Sequence, residues 1–287
     1  MSNCRKVGLI ACSNALPAEK HGQIKKLENF LRECGLTPVR SRCIFERDGS
    51  PFSGTGKERA EELSRFFRDP EMEMIFDVSG GDLANGVLPF LDMEAVRDSR
   101  AVFWGYSDLT TMVNAIWTAA GRETVLYQIR NLTAPDGDWQ REAFRRLVEE
   151  GSRELFQFPC EFLQGEAMDG IVVGGNLRCL LKLAGTRFWP DMRRKILLLE
   201  AYSGQVPQMA TFFAQLKLMG VFEQISGLLL GTFMEMEEKG CRPGIEELAA
   251  EYAGPAIPIA RTAKIGHRKD SHAVLVGSRL ALESCCC

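Results

Sequence analysis

The segment FWGYSDLTTMVNAIWTAAG, residues 103–121, passes from a strand-like to a helix-like pattern. Its first residues are apolar, and a helical pattern follows the Gly-Tyr-Ser-Asp step, with one apolar face formed by Met112, Ala115, Ile116 and Ala119. The glycine at position 121 is a typical helix end. The segment therefore predicts a strand, a tight turn that holds Ser107, and a helix.

The same alternation of strand and helix patterns covers the first half of the chain. KVGLIAC (residues 6–12) predicts a strand, and the helical pattern after it ends at Gly35. MIFDVSGG (74–81) and TVLY (124–127) predict further strands. Such alternation predicts an α/β fold with a doubly wound parallel sheet, whose ligand sites lie at the carboxyl ends of the strands.

The second half contains a further set of strand patterns, which are GIVVGGNL (170–177), KILLLEAYSG (195–204) and HAVLVGSRLALE (272–283). They predict a second, smaller α/β domain. Residues 136–159 are polar and partly helical, and we interpret them as a connector. We place the boundary near residue 160, which gives domains 1–160 and 161–287.

Charge and hydropathy limit the partners and the location. The 287 residues are 45% hydrophobic and carry a net charge of -3. A chain without a basic field is not expected to bind nucleic acid or an anionic membrane, so a small ligand is the expected partner. The N-terminal apolar run is too short for a signal peptide, which predicts a cytoplasmic protein.

Cysteine spacing indicates reduced thiols and not a disulfide framework or a metal site. The ten cysteines include no CxxC pair, and only the last three, at 285–287, are adjacent. We expect most of them to be core residues, and we interpret the terminal run as a disordered or easily oxidised tail. No metal or cofactor is expected.

Ser107 has two interpretations that the local sequence leaves open. A serine in a strand-turn-helix lies near backbone N–H groups and the positive end of the helix dipole, where an oxyanion is stabilised. The turn resembles a nucleophile elbow, although Leu109 stands at the place of the second glycine. Serine is also a common helix cap, which is a purely structural role.

Two further residues are candidates for a reaction with Ser107. Glu200 ends the apolar run KILLLE, where a carboxylate is costly unless it is paired, so it either orients a histidine or reaches water. Of the three histidines, His267 is in a loop beside a glycine and either extends into a site or is solvated. The chain order Ser, Glu, His occurs in hydrolases.

Gly80 and Gly81 form another turn that either binds a ligand or only connects two elements. They end a strand, so their backbone can approach a ligand closely and offer N–H donors. A plain strand-to-helix turn remains the alternative.

These segments together resemble the LD-carboxypeptidase family of serine peptidases, which includes muramoyltetrapeptide carboxypeptidases and microcin C immunity proteins. The resemblance covers nearly the whole chain. Its ordered blocks are GLIACSN (8–14), residues 57–92 with VSGGDLANGVLPFLD, FWGYSDLTTMVNAIW (103–117), GIVVGGNLRCLLKLAGT (170–186), KILLLE (195–200), residues 212–233, and residues 257–283 with KIGHRKD.

The resemblance implies roles for five residues. Ser107 would be the nucleophile, Glu200 would orient the histidine, and His267 would be the general base. Gly81 and Asp108 would supply the oxyanion N–H groups. The implied fold is a flavodoxin-like N-terminal domain plus a smaller swivelling β/α C-terminal domain, with the site in the cleft between them and a homodimer as the assembly.

The resemblance implies two substrate classes. One is a cytoplasmic murein tetrapeptide, which would lose its C-terminal D-alanine, and the other is an aminoacyl-nucleotide analogue of the microcin C type. This chain departs from the family at Ser79, where an arginine is common, at Leu83, where a glycine is common, and at Ala201, where an acid is frequent. A non-catalytic protein that binds a small ligand remains an alternative from another class.

Overall fold

A computed structural model describes residues 5–47 and 49–284. Its twelve strands are β1 Lys6–Ile10, β2 Thr37–Arg40, β3 Met72–Asp77, β4 Val102–Gly105, β5 Thr124–Leu126, β6 Glu161–Gln164, β7 Ala167–Asn176, β8 Lys195–Ala201, β9 Gly227–Phe233, β10 Ile259–Arg261, β11 Val274–Val276 and β12 Arg279–Glu283. Its α-helices are α1 His21–Glu33, α2 Gly56–Arg68, α3 Met93–Asp98, α4 Thr110–Ala120, α5 Asp138–Glu150, α6 Leu177–Leu181, α7 Val206–Leu218, α8 Met234–Glu238 and α9 Ile245–Ala253.

The first sheet has the strand order β11-β5-β4-β3-β1-β2. Strands β1 to β5 are parallel, and β11 adds to the edge antiparallel to β5. The order 2-1-3-4-5 is that of a flavodoxin-like sheet. Helices α1 and α5 cover one face, and α2, α3 and α4 cover the other. The predicted doubly wound fold is confirmed.

Helix α5 lies within the segment that the sequence predicted to be a connector, and this interpretation is wrong for the helix. Phe144 is fully buried, with its ring 6.0 Å from that of Phe76 and 6.1 Å from that of Trp104. The helix is charged on its outer face, which gave the segment its polar character, whereas its apolar stripe packs on the first sheet.

The second sheet has the order β12-β7-β8-β9-β10-β6. Strands β7 to β10 are parallel, while β12 and β6 are antiparallel edges. Helices α7 and α9 pack on one face of this sheet. The predicted second α/β domain is confirmed, and the division at residue 160 stays a prediction. Strand β11, from the second half of the sequence, belongs to the first sheet.

Four cysteines are free and buried, as expected of core residues: Cys12, Cys34, Cys43 and Cys179. Burial raises the pKa of Cys34 to about 11 and that of Cys179 to about 12, which keeps both thiols protonated and unreactive at neutral pH. The terminal run at 285–287 lies outside the described residues. Within the described part of the chain, every helix is too short or too polar to cross a bilayer.

Candidate active site

Ser107 occupies a strained turn between β4 and α4. Its φ is 59°, in the left-handed region, which costs a residue with a side chain on the order of 1 kcal/mol. A Cβ atom on Gly105 would lie 2.6 Å from Cβ of Leu109, so only glycine allows this close return of the chain. The serine side chain caps neither the short turn Ser107–Leu109 nor α4. The helix-cap interpretation is therefore wrong.

The fold brings Ser107, His267 and Glu200 together. Nε2 of His267 lies 3.0 Å from Oγ of Ser107, and Nδ1 lies 2.8 Å from Oε2 of Glu200. With the ring proton on Nδ1, the imidazole donates to the carboxylate and accepts from the hydroxyl. The Glu200 side chain is inaccessible to solvent and that of His267 is 15% exposed. The arrangement can remove the proton of the Ser107 hydroxyl.

Glu200 is held at both oxygens. Nδ2 of Asn176, at the end of β7, donates to Oε1 of Glu200 at 3.0 Å, while Oε2 bonds to His267. Burial, together with the nearby charge of Glu200, raises the pKa of Tyr106 well above its ordinary value, so this phenol stays neutral. A fixed carboxylate of this kind orients the imidazole and stabilises its protonated form.

The His267 loop approaches β9 closely because two glycines leave room for it. A Cβ atom on Gly231 would lie 2.4 Å from the carbonyl oxygen of Ile265, and one on Gly266 would lie 1.7 Å from Oγ1 of Thr232. The other two histidines bond to carbonyls outside the site, His21 to Ala18 and His272 to Gln157. Of the three, His267 alone contacts Ser107.

Two tyrosine rings flank the imidazole. The ring of Tyr106 lies 4.8 Å from that of His267 in an edge contact, and the ring of Tyr202 lies 5.0 Å away. Tyr106 is buried, whereas Tyr202 is 58% exposed although it touches the site. The exposed ring of Tyr202 offers a surface beside the reacting atoms. Trp104, the other aromatic residue close to Ser107 in the sequence, is a core residue.

The two residues predicted as oxyanion donors, Gly81 and Asp108, lie in the turns that follow β3 and β4. Gly81 has a φ of 122°, and a Cβ atom there would lie 2.2 Å from the side chain of Asn14, so the position requires glycine. Asp108 directly follows Ser107 in the short turn Ser107–Leu109, which leads into α4 and whose first N–H groups have no partner within the turn. Their role as oxyanion donors stays a prediction.

A buried ionic network around Asp108 was not predicted. Its carboxylate is inaccessible to solvent and accepts hydrogen bonds from Oγ of Ser13 at 2.6 Å and from the amide of Ala84 at 2.9 Å. Nζ of Lys182, from the segment after α6, lies 2.5 Å from Oδ1 of Asp108. These partners are far apart in the sequence, and no local pattern indicates that they meet.

A cavity of about 220 Å³ opens beside Ser107. It is lined by Gly80, Tyr106, Ser107, Gln128, Arg130, Asn131, Gly266, His267 and Arg268. The cavity is polar, and it lies at the carboxyl ends of β4 and β5, where ligands of such sheets bind. Ser79, at the place where the resembling family commonly has an arginine, is buried and donates to Asp77 at 2.5 Å.

A serine at a strand-turn-helix, bonded to a histidine that is bonded to a buried glutamate, is an arrangement found in serine hydrolases, and comparison with known proteins identifies the family. The LD-carboxypeptidase N-terminal domain matches residues 7–127, and the LD-carboxypeptidase C-terminal domain matches residues 169–282. The chain belongs to the LD-carboxypeptidase family, and the family together with its carboxypeptidase-named relatives gives the enzyme class as serine carboxypeptidase.

Individual relatives carry two kinds of name. The chain is 26% identical to the microcin C7 self-immunity protein MccF of Escherichia coli over 88% of this chain and 85% of that protein. It is 25% identical to the murein tetrapeptide carboxypeptidase of Pseudomonas aeruginosa over 80% of this chain and 79% of that protein. A structure of MccF in complex with aspartyl sulfamoyl adenosine shares the fold, with a TM-score of 0.84, 23% identity, and 97% and 92% of the two chains covered.

Proposed function

We propose that this protein hydrolyses the amide bond to a C-terminal D-alanine in murein tetrapeptides, with Ser107 as nucleophile. The observation that carries the proposal is the continuous path of hydrogen bonds from Oγ of Ser107 through His267 to Glu200. The family supports a carboxypeptidase reaction, and the name of the Pseudomonas relative supports murein tetrapeptide as the substrate.

The first half of the reaction forms an acyl-enzyme. Oγ of Ser107 attacks the carbonyl carbon while Nε2 of His267 takes the hydroxyl proton, and Glu200 stabilises the resulting imidazolium. The carbonyl oxygen becomes an oxyanion, to which the amides of Gly81 and Asp108 donate, an effect on the order of 3 kcal/mol for each donor. The carbon–nitrogen bond then breaks, and His267 gives its proton to the leaving amine.

The second half of the reaction releases the product. A water molecule loses a proton to His267 and attacks the ester carbon on Ser107. Collapse of this second oxyanion breaks the ester bond and returns the proton to Oγ. The products are a shortened peptide with a new carboxylate and free D-alanine.

Location and assembly are the remaining parts of this proposal. Murein tetrapeptide recycling would occur in the cytoplasm, and the protein would act as a homodimer, as the resemblance implies. Both are predictions, which cell fractionation and sedimentation of the purified protein test directly.

A second candidate function is cleavage of an aminoacyl-nucleotide analogue. The exposed ring of Tyr202 beside His267 favours it, since an aromatic surface next to the nucleophile suits stacking with a nucleobase. MccF, whose structure holds aspartyl sulfamoyl adenosine, has a similar fold.

Mass spectrometry of the reaction products tests which of the two functions the protein has. The wild-type protein is incubated separately with murein tetrapeptide and with an aminoacyl-sulfamoyl adenosine, and Ser107→Ala is the matched control. D-Alanine release by the wild type alone supports the carboxypeptidase. Cleavage of the nucleotide alone moves the protein to the second function, and binding without cleavage of either favours a non-catalytic protein.

A further inference from the structure

The cavity beside Ser107 is lined by an arginine, Arg130, that forms no ion pair with any of the described residues. Arg130 lies in the turn Ile129–Thr133, which follows β5, and lines the cavity together with Ser107 and His267. The residue is half-buried. Among residues 5–47 and 49–284, no carboxylate oxygen lies within 4.0 Å of its guanidinium. Burial of an unpaired guanidinium costs free energy, so its presence here calls for an anion from outside the chain.

Gln128 fixes the direction of this arginine. Its Oε1 accepts from the amide of Arg130 at 3.3 Å and from Nε at 3.2 Å, and its Nε2 donates to the carbonyl of Ser79 at 3.4 Å. Nε of the guanidinium therefore already donates a hydrogen bond within the protein. The two terminal nitrogens have no hydrogen-bond acceptor among the described residues. Two parallel N–H groups form the fork that binds a carboxylate through both oxygens.

The nearby charges compensate only part of the cost of burying the positive charge of Arg130. Burial lowers the pKa of the Arg130 guanidinium, and the charge of Asp77 offsets only part of this effect. Asp77 already accepts from the amide of Cys12 at 2.7 Å and from Ser79. Arg268, the other arginine of the cavity, pairs with Glu237 at 2.9 Å.

We propose that Arg130 binds the free carboxylate of the residue that leaves in the reaction. In a peptide substrate this carboxylate is three bonds from the scissile carbonyl carbon, so it lies close to Ser107 when the carbonyl does. Arg130 would then select peptides in which a single amino acid follows the scissile bond. It would exclude longer peptides and peptides whose C-terminal carboxylate is blocked. This assignment rests on the proposed carboxypeptidase function and specifies which part of the substrate is recognised.

A pair of substrates that differ only in the terminal group tests the assignment. Murein tetrapeptide is compared with its C-terminal amide, which lacks the anion, using the wild type, Arg130→Met and Arg130→Lys. Arg193→Gln, an exposed position paired with Asp191, is the control. We expect Arg130→Met to lower kcat/KM for the acid by about 10- to 100-fold, to leave the amide unchanged, and so to remove the preference for the acid. Arg130→Lys should retain an intermediate preference, because it keeps the charge without the fork.

The remaining outcomes of this experiment separate the role of Arg130 from the carboxypeptidase function. An equal loss on acid and amide in Arg130→Met, or an unchanged ratio between them, overturns the role of Arg130 and leaves the carboxypeptidase standing. If the wild type cleaves neither peptide, both the carboxypeptidase and this assignment are overturned. An aminoacyl-sulfamoyl adenosine forms a third arm: if Arg130→Met impairs only that substrate, the arginine recognises the sulfamoyl group and not a carboxylate.

Discussion

Nζ of Lys182 lies 2.5 Å from Oδ1 of Asp108, and this ion pair ties a residue of the second half of the chain to the position after Ser107. The carboxylate of Asp108 is inaccessible to solvent and the Lys182 side chain is 18% exposed. Removal of one partner of such a pair leaves a buried charge without compensation. The pair therefore ties the turn that holds Ser107 to the C-terminal end of α6.

Lys182→Met should lower the free energy of unfolding by about 3 kcal/mol, because Asp108 would keep its buried charge without a cation. Urea denaturation followed by circular dichroism measures the change. Arg193→Met is the control, since it removes the cation of a separate pair whose partner Asp191 is 52% exposed, and such pairs contribute less than about 1 kcal/mol. Equal losses in the two variants would contradict a special role for the Asp108 pair.

Ser107→Gly and Ser107→Ala should both be inactive but should differ in stability. Both lose Oγ, and only glycine adopts the φ of 59° without strain. We expect Ser107→Gly to be more stable than Ser107→Ala by about 1 kcal/mol, an unusual direction for a residue at the start of a helical turn. Thermal unfolding of the two variants side by side measures this difference. A less stable glycine variant would contradict a strained turn.

Glu200→Gln should reduce kcat by about 10²- to 10⁴-fold with little change in KM. The amide cannot stabilise an imidazolium, and its NH₂ group favours the wrong tautomer of His267. Steady-state kinetics on the cleaved substrate measure the effect. A variant that retained the wild-type kcat would show that Glu200 is not needed to orient the imidazole.

Glu62 should make stability depend on pH in the acid range. Burial opposes its ionisation, but hydrogen bonds from Arg65, Arg42 and Ser41 outweigh burial and lower the pKa of Glu62 to about 2. Since the folded-state pKa is below that of the unfolded chain, the stabilisation is fully present above about pH 4.5 and is lost as the pH falls towards 2.

The pH dependence is measured with Glu62→Gln. At pH 7 this variant should be less stable than the wild type by on the order of 2–3 kcal/mol, and the gap should narrow between pH 4.5 and pH 2. Glu61→Gln, at an exposed position on the same helix, should change stability by less than about 0.5 kcal/mol. If the stability difference between the wild type and Glu62→Gln stays constant with pH, ionisation of Glu62 does not cause the pH dependence of stability.

The elements that could be predicted from the sequence are those whose pattern of apolar residues has a clear beginning and end. The strand-turn-helix around Ser107 and the parallel strands of both halves follow from apolar runs that each end at a glycine or a polar residue. The position of Glu200 at the end of a buried strand left pairing with a histidine or contact with water open, and the buried carboxylate bonded to His267 agrees with the first. The local sequence predicts where a strand ends, because the end of a strand depends on neighbouring residues.

The features that sequence reasoning missed depend on contacts between distant segments. Lys182 meets Asp108 across 74 residues, and Arg130 reaches the cavity because the turn after β5 lies beside the end of β4. The helical character of α5 was visible in the sequence, but its charged residues suggested a connector, whereas its buried residues pack on the first sheet. In each case the partner is set by the packing of the sheets, which no single segment encodes.

We propose that Ser107 and His267 act as one unit in a nucleophilic reaction. The rate of D-alanine release from murein tetrapeptide by Ser107→Ala, His267→Ala and the double variant tests this proposal. We predict that each single change lowers kcat by at least about 10³-fold and that the double variant is no slower than the slower single one, since the unit is already lost. Activity within tenfold of the wild type in Ser107→Ala, or losses that multiply in the double variant, would contradict this proposal.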